Sequence, residues 1–259
     1  MKPIVKWSGG KRDELDSIKS HFPSKYEMFV EPFVGGGAVY FNIEPQRAVI
    51  SDTHEELINF YQQLAGGKGD EIHSLMSNMT FSKEEYYATR DKYEPQNDVE
   101  RAFKFFYLRK TCYRGMLRQS AKGHFNVPYG FYKKINYDTL KDSNVIGLLW
   151  RTIILCEDFT RVFEQFNSKD NFFFLDPPYD TQFRNYGSGG FTTEQQEKLA
   201  EYVKATKNQC LLVIGESDLT KKLYKDMIAE TYFKKYAFKL HSGRVGKEIN
   251  NNHLIVKNY

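Results

Sequence analysis

The segment MFVEPFVGGGAVYF, at 28–41, constrains the fold of this chain more than any other. It begins as a short apolar strand, passes through Gly35, Gly36 and Gly37, and continues as the start of a helix. Glycine permits a turn with positive φ and lets the backbone approach a ligand closely. In α/β sheets such turns lie at the carboxyl ends of the strands, where nucleotide-like ligands bind. The segment therefore predicts the first strand-turn-helix unit of a ligand-binding sheet.

Other short apolar runs, each ending in polar residues, extend this pattern. They are RAVISD (47–52), TIILCEDF (152–159), NFFFLDPPY (171–179), QCLLVIGES (209–217) and HLIVKNY (253–259). Helical stretches such as TRVFEQF and TEQQEKLAEYVKAT lie between some of them. Apolar strands that alternate with helices are typical of an α/β doubly wound sheet, and we predict that fold.

The middle of the chain has a different character. From Glu55 to about Lys110, apolar residues recur at three- and four-residue spacing, which predicts helices, and Ser82 with Glu85 has the pattern of a capping box. The following segment, about 111–144, is rich in Gly, Arg, Lys and aromatic residues and has little periodicity. We predict that 1–61 and 150–259 form the main domain and that 62–149 is a mostly helical insertion.

An apolar run leads into the tetrad Asp176-Pro177-Pro178-Tyr179. Two prolines cannot continue a strand ladder, so the chain must leave the sheet as a rigid loop. That loop offers the Asp176 carboxylate and the Pro177 carbonyl as acceptors beside the ring of Tyr179. Two acceptors could hold an amino group conjugated to a ring and bias it toward a pyramidal form with a localised lone pair. The alternative is that the tetrad is only a turn that ends a strand.

Three further features belong with the glycine turn. Asp52 ends the next predicted strand fifteen residues after Gly37, where an acid could accept hydrogen bonds from both ribose hydroxyls of an adenosine. This spacing suits NAD and S-adenosylmethionine equally. Glu31, just before the turn, is unusual for a dinucleotide fold, where a pyrophosphate would meet its carboxylate. At the N-terminus, KWSGGK forms a second glycine loop that could pack on a cofactor.

The composition sets broad limits. The chain has 259 residues, a net charge of +4 and three cysteines that are far apart, and this mildly basic balance is compatible with a polyanionic partner. Sparse cysteines favour reduced thiols, and neither a secretory signal nor a membrane-spanning apolar run is visible. We expect a cytoplasmic protein with no membrane and no metal, as a monomer or weak dimer.

In order, KWSGGK, VEPFVGGGAV, SDTHEELINFY, GHFNVPYG and DPPY resemble the Dam-type, α-group family of DNA adenine methyltransferases. The resemblance runs from Lys6 to the end of the chain. It implies a Rossmann-like doubly wound methyltransferase sheet with an inserted, mostly helical target-recognition domain. It also implies S-adenosylmethionine as cofactor, double-stranded DNA as partner, and methylation of the N6 amine of an extruded adenine.

The resemblance implies three sets of site residues. Those at the cofactor are Trp7, Ser8, Gly9, Gly10, Lys11, Glu31, Phe33, Gly35, Gly37, Asp52, Asp158, Phe159 and Asp176. Those at the reacting base are Asp176, Pro177, Pro178, Tyr179 and Phe191. Those at DNA are Lys11, Arg114, Arg118, Gln119, Lys122, Asn126, Pro128, Tyr132, Lys133 and Lys134. Arg118 corresponds to an arginine that reads a guanine, and the lysines at 122, 133 and 134 to phosphate contacts.

Some positions depart from the family pattern. Arg114-Gly115 replaces a frequent Asn-Gly, Phe131 replaces an arginine in Gly-Arg-Tyr, and His253 replaces an acid near the last strand. These departures leave the catalytic set intact and bear on the recognition sequence. GATC is the family's commonest site, and CATG and other short palindromes are alternatives.

Other functions fit parts of the sequence. An RNA adenine methyltransferase would share the chemistry, but it would not need the basic, aromatic insertion. A dinucleotide oxidoreductase would explain the glycine turn and Asp52 but not the tetrad. A protein-glutamine methyltransferase would begin the tetrad with Asn, and a catalytically silent DNA-binding protein would not need the tetrad at all.

Overall fold

The computed structural model describes residues 1–7, 9–11, 14–118, 120, 123–178, 191–235 and 250–259. Within these residues one seven-stranded sheet runs in the order β3-β2-β1-β4-β5-β7-β6. Its strands are β1 (Met28–Glu31), β2 (Ala48–Ser51), β3 (Thr152–Leu155), β4 (Asn171–Leu175), β5 (Gln209–Gly215), β6 (Ile228–Lys235) and β7 (Asn250–Lys257). The predicted α/β doubly wound sheet is confirmed.

The first five strands are parallel, and β7 runs antiparallel to both β5 and β6. From β1 the sheet grows outward through β2 to β3, and the chain then returns to place β4 on the other side of β1. This reversal makes the gap between β1 and β4 the topological switch point, where open α/β sheets bind their ligands. β6 was missed by the sequence reasoning, and β7 begins at Asn250, before the apolar residues that predict it.

Ten α-helices lie in the described residues. They are α1 (Leu15–Lys19), α2 (Ala38–Ile43), α3 (Glu55–Ala65), α4 (Gly69–Ser77), α5 (Lys83–Asp91), α6 (Asp98–Thr111), α7 (Ser143–Trp150), α8 (Phe159–Gln165), α9 (Thr193–Ala205) and α10 (Asp218–Tyr224). The four predicted helices between Glu55 and Lys110 are therefore confirmed as α3 to α6. Short 3₁₀ turns occur at Tyr113–Gly115, Asp138–Lys141 and Lys225–Met227.

The two faces of the sheet are covered by different helices. One buried cluster contains Phe29 and Phe172 of the sheet together with side chains of α3, α6 and α7. The second contains Val30 and Phe173 together with side chains of α8, α9 and α10. Neighbouring strand residues face opposite sides, so each strand contributes to both clusters. Helices on both faces explain why the central strands are apolar throughout.

The helix start at Ser82 differs in one detail from the sequence pattern. The Ser82 hydroxyl accepts the Glu85 N–H at 3.1 Å, as a capping box requires. The Glu85 carboxylate, however, accepts the backbone N–H groups of Thr80 and Phe81 instead of that of Ser82. Only one half of the expected box is formed, because the glutamate satisfies donors further back along the chain.

Among the described residues, the helices are all too short or too polar to cross a membrane.

Candidate active site

The glycine turn after β1 is shaped by contact with the N-terminal loop. Gly35 and Gly37 have φ values of +47° and +68°, a region that side chains other than glycine rarely adopt. A Cβ at Gly35 would lie 2.7 Å from the indole of Trp7, and one at Gly36 would lie 2.7 Å from the Trp7 Cβ. The absence of side chains thus lets Trp7 pack directly on the turn. The half-buried Trp7 is the first residue of the cofactor set that the fold brings to the turn.

Asp52 ties the turn to the end of β2. Its carboxylate accepts the N–H of Gly35 at 2.9 Å and that of His54 at 3.0 Å. Burial raises the pKa of Asp52, and these two backbone donors oppose the rise. Each carboxylate oxygen has a second acceptor position, so the side chain can hold the turn and still accept hydroxyl donors.

Asp176 follows β4 directly and lies beside Lys11. The Lys11 ammonium is 2.6 Å from one carboxylate oxygen and 2.8 Å from the other, and it also donates to the Gly9 carbonyl at 3.0 Å. The lysine is only 2% exposed, so its charge faces the interior. Burial raises the pKa of Asp176, while the adjacent ammonium lowers it. The ion pair therefore favours an ionised acceptor in a place where a lone carboxyl would readily keep its proton.

Glu31, at the end of β1, completes an acidic group around the switch point. It is 2% exposed, and its Oε2 has no hydrogen-bond partner within the described residues. Burial raises its pKa well above the usual value, and the charge of Asp176 raises it further. A buried acceptor without a partner costs free energy, so this position suits a ligand that brings a donor.

Three aromatic side chains form a cluster beside these acids. Phe33, Phe159 and Phe191 contact one another with ring centroids 5.5 to 5.7 Å apart. Asp158 precedes Phe159 and accepts the Thr160 N–H at 3.0 Å, which caps α8. The fold thus brings Phe191, expected at the reacting base, against two rings expected at the cofactor. Such a cluster offers an aromatic surface on which a flat heterocycle can pack.

The sequence reasoning missed a buried glutamine behind the tetrad. Gln196 in α9 is fully buried, and its side-chain amide donates to the Pro178 carbonyl at 3.2 Å. Its Oε1 has no hydrogen-bond partner in the described part of the chain. Pro177 is buried and Pro178 is exposed, and Gln196 lies beneath Pro178. A glutamine in an amphipathic helix carries no sequence signal for this contact.

A second missed group surrounds Glu14, whose carboxylate accepts hydrogen bonds from Lys234, from the Tyr232 hydroxyl at 2.5 Å and from the His253 Nδ1–H at 2.9 Å. Burial would raise the pKa of Glu14, but the hydrogen bond from His253, the charge of Lys11 and the hydrogen bonds from Lys234 and Tyr232 lower it to about 2. The departure from the family pattern at His253 thus has a structural partner, because an acid at this position would face Glu14.

Arg109 joins the N-terminal loop to the segment expected at DNA. Its side chain is 2% exposed. The guanidinium donates to the carbonyls of Met116 and Gly115 at 2.7 Å each and also to the carbonyl of Lys6. It lies 5.2 Å from the centroid of the Trp7 ring. This role was not predicted from the sequence because the acceptors come from two segments that are far apart along the chain. Arg109 fixes the Trp7 loop relative to the segment around Gly115 and Met116.

That segment folds back on itself as an irregular hairpin, which we call the basic hairpin (111–134). Backbone bonds join Tyr113 N–H to the Pro128 carbonyl at 2.7 Å and Gly130 N–H to the Thr111 carbonyl at 2.8 Å. Closer to the tip, Arg118 donates to the side chain of Asn126 at 2.8 Å and to its carbonyl at 2.9 Å. Two residues of the DNA set are therefore neighbours in space.

The other DNA-set residues that the structure describes line the same hairpin. Arg114, Pro128, Lys133 and Lys134 are exposed. The half-buried Tyr132 lies under the ammonium of Lys6, 4.5 Å from the ring centroid. Lys11, expected at both DNA and cofactor, lies in the interior against Asp176, another residue of the cofactor set. Ser8, Gln119, Lys122 and Tyr179 lie outside the described residues.

Groups of three or more His, Cys, Asp or Glu side chains arranged to hold a metal ion do not occur in the described ranges.

The sequence of this chain matches a known protein family. A family model described as D12 class N6 adenine-specific DNA methyltransferase matches residues 7–241. The chain is 46% identical over 261 residues to the Type II methyltransferase M.CviBI of Paramecium bursaria Chlorella virus NC1A, covering 100% of both chains. It is 35% identical over 243 residues to the Type II methyltransferase M1.LlaDCHI of Lactococcus lactis subsp. cremoris, covering 87% of this chain and 85% of that one.

A third relative is the DNA adenine methylase of Haemophilus influenzae, which is 30% identical over 244 residues, covering 90% of this chain and 85% of that one. The match of the family model covers the N-terminal loop, the glycine turn and the tetrad together. The alternatives of an oxidoreductase, a protein-glutamine methyltransferase and a silent DNA-binding protein are therefore not supported. This chain belongs to the family of D12 class N6 adenine-specific DNA methyltransferases, and it is an enzyme that methylates adenine in DNA.

Proposed function

We propose that this enzyme transfers a methyl group from S-adenosylmethionine to the N6 amine of an adenine that it extrudes from a short palindromic site in duplex DNA. The observation that carries the proposal is the position of Asp176, at the carboxyl end of β4 and across the switch point from Glu31 and the glycine turn. An acceptor for the amine and a cradle for the donor thereby meet at one edge of the sheet.

The residues at the glycine turn fit the donor. Asp52 retains acceptor positions for the ribose hydroxyls, and the Phe33–Phe159 pair suits the adenine ring. The buried Oε2 of Glu31, unpaired in the described residues, suits the amino group of the methionine end. S-adenosylmethionine would supply an electrophilic methyl group on a sulfonium centre. No metal is needed for this chemistry, because the transfer leaves a neutral thioether.

The chain's own residues would prepare the target amine. The Asp176 carboxylate and the Pro177 carbonyl accept its two N–H groups, which localises the nitrogen lone pair that the purine ring otherwise delocalises. Burial raises the pKa of Asp176, and the ammonium of Lys11 opposes this rise, which favours the ionised form in which both oxygens are acceptors. Tyr179 stacks on the extruded base, which returns roughly 1–3 kcal/mol of the cost of unstacking it. The proton leaves after methyl transfer, since the neutral amine is far too weak an acid to lose it first.

The basic hairpin would read the DNA. Arg118 is held along one side by Asn126, while its terminal amino groups keep further N–H donors for a guanine edge. Exposed Lys133 and Lys134 suit phosphate contacts. GATC is the first sequence to test as the recognition site, with CATG and other short palindromes as alternatives.

The chemistry is tested with Asp176→Ala. We expect methyl transfer to an unmethylated duplex to be abolished while S-adenosylmethionine binding, measured by calorimetry, is largely retained. Near-normal turnover would remove Asp176 from its role, and a wild-type protein that does not bind the donor would overturn the whole proposal. Expression in cells that lack adenine methylation, followed by mapping of modified adenines, identifies the site, and cells expressing Asp176→Ala are the control.

A further inference from the structure

Phe131 lies in the basic hairpin in an arrangement that folding does not explain. Its side chain is 70% exposed, and its backbone has a φ of +54°. Positive φ costs a non-glycine residue free energy, and an exposed apolar ring gains little from burial that could offset this cost. Such backbone strain persists only where the surrounding structure enforces it, and it is concentrated at functional positions.

The residues on both sides of Phe131 hold it firmly. Gly130 donates to the Thr111 carbonyl at 2.8 Å, and a Cβ on Gly130 would lie 2.4 Å from the Tyr132 ring and 2.8 Å from the Cys112 carbonyl oxygen. The Tyr129 hydroxyl donates to the Phe81 carbonyl, and the Tyr129 ring meets that of Phe131 at 4.9 Å in an edge-to-face contact. The ring of Phe131 is therefore presented outward from a well-anchored backbone.

The charges around this ring identify its partner. Exposed Lys133 and Lys134 follow it directly, and the Lys6 ammonium lies over the adjacent Tyr132 ring. Cations that can bind phosphates, next to an outward-facing apolar ring, are the combination that proteins use to grip a nucleic acid backbone while a side chain enters the base stack. An acidic protein partner would use the lysines but leave the ring in water.

Extrusion of a base creates the place that such a ring can fill. When the adenine leaves the duplex, its partner loses its pairing, and the bases that flank the adenine in its own strand lose a stacking neighbour. We propose that Phe131 stacks on this orphaned base and so stabilises the duplex with the adenine extruded. This inference rests on the base extrusion in the proposed function, and it gives a role to the aromatic residue that replaces the family's arginine at this position.

The test measures extrusion and binding separately. The target adenine is replaced by 2-aminopurine, whose fluorescence rises when the base leaves the stack, and the dissociation constant is measured at several salt concentrations. We expect Phe131→Ala to lower the fluorescence rise and to weaken binding by about tenfold, with an unchanged salt dependence. Phe131→Trp keeps both properties. Lys133→Ala, in contrast, reduces the slope of log affinity against log salt by about one.

A duplex with an abasic site opposite the target isolates the stacking contact. Because the orphaned base is missing, we expect wild type and Phe131→Ala to bind this duplex equally. Phe131→Gly removes the ring and relieves the positive φ, so it keeps the test valid if Phe131→Ala is unstable. Trp150→Ala is the matched control. Trp150 is 77% exposed, but it precedes β3 and so lies at the amino ends of the parallel strands, whereas Asp176 lies at their carboxyl ends.

The outcomes separate this inference from the proposed function. A wild-type enzyme that extrudes 2-aminopurine, together with Phe131→Ala and Phe131→Gly variants that match it on every duplex, would overturn the role of Phe131. Equal losses on the normal and abasic duplexes would also overturn it. A wild-type enzyme that shows no fluorescence rise would count against base extrusion itself.

Discussion

The ammonium of Lys11 lies 2.6 Å from one carboxylate oxygen of Asp176 and 2.8 Å from the other. The pair joins the N-terminal glycine loop to the tetrad, 165 residues later in the sequence. Because Lys11 is also attracted by the charge of Glu14, a line of alternating charges runs from Asp176 through Lys11 and Glu14 to Lys234 in β6. The proposed catalytic acid is thus held by the N-terminal loop and, through Lys11 and Glu14, is linked to β6.

Loss of Lys11 is expected to change the pH dependence of methyl transfer. In Lys11→Met nothing replaces the charge that opposes the effect of burial, so the pKa of Asp176 rises further above its usual value. The ionised carboxylate then forms only at higher pH, and the acid limb of the rate profile shifts upward. Single-turnover rates should fall by roughly tenfold or more at pH 6 and recover partly at pH 8. Lys198→Met, an exposed charge loss in α9, is the control, and an unshifted acid limb in Lys11→Met would contradict the assignment.

Gln196 is expected to act as a positioning residue for the tetrad. Gln196→Leu removes the donor to the Pro178 carbonyl and also the buried Oε1 that lacks a partner in the described residues, so the two effects on stability partly cancel. We expect kcat to fall by about tenfold, with little change in KM for DNA or in Tm. Gln196→Glu should be worse, because a carboxylate oxygen would face the carbonyl. Glu197→Gln, on the exposed face of α9, should behave as wild type, and a large drop in Tm for Gln196→Leu would indicate a merely structural role.

Gly35 is expected to tolerate no side chain. Gly35→Ala would have a φ of +47° and a Cβ 2.7 Å from the Trp7 indole, so we expect a loss of about 2 kcal/mol or more in the free energy of unfolding and weaker donor binding. Trp7→Ala in the same chain should relieve the clash, so that the two losses are not additive.

Gly147 provides the matched comparison. It lies inside α7, and a Cβ there would meet no atom within 4 Å. Gly147→Ala should therefore stabilise the protein by about 0.5–1 kcal/mol in urea unfolding. Equal effects of alanine at the two glycines would contradict the distinction between the turn and the helix.

Glu14 is expected to make stability depend on pH in the acid range. The pKa of Glu14 is lowered to about 2 in the folded protein. The stabilisation that the ionised Glu14 provides is therefore fully present above pH 4.5, the usual pKa of the group, and is lost as pH falls toward 2. The free-energy difference between wild type and Glu14→Gln should therefore narrow by about 1 kcal/mol between pH 7 and pH 4. Urea unfolding of both proteins at the two pH values measures this change. A difference independent of pH would mean that Glu14 is not paired as described.

The sequence and the structure contribute differently to the candidate site. The elements around the glycine turn and the tetrad follow from local patterns. Apolar runs, glycines and prolines determine the backbone conformation of the few residues around them. β6 escaped prediction because polar residues interrupt its sequence, IAETYFKK, so that it contains no continuous apolar run. It lies at the edge of the sheet, where pairing with β7 and the fit of single side chains decide the structure.

By itself, the sequence determined that this chain forms a doubly wound sheet with Gly35, Asp52 and Asp176 at the ends of its strands, since strand ends of a parallel sheet meet at one edge. Only the tertiary structure decided where the long side chains point. Lys11 turns inward to Asp176, Gln196 supports Pro178, and Glu14 meets His253 at a separation of 239 residues. The physical reason is that a backbone pattern has a period that can be read along the chain, whereas the partner of a buried charge or amide is set by packing between distant segments.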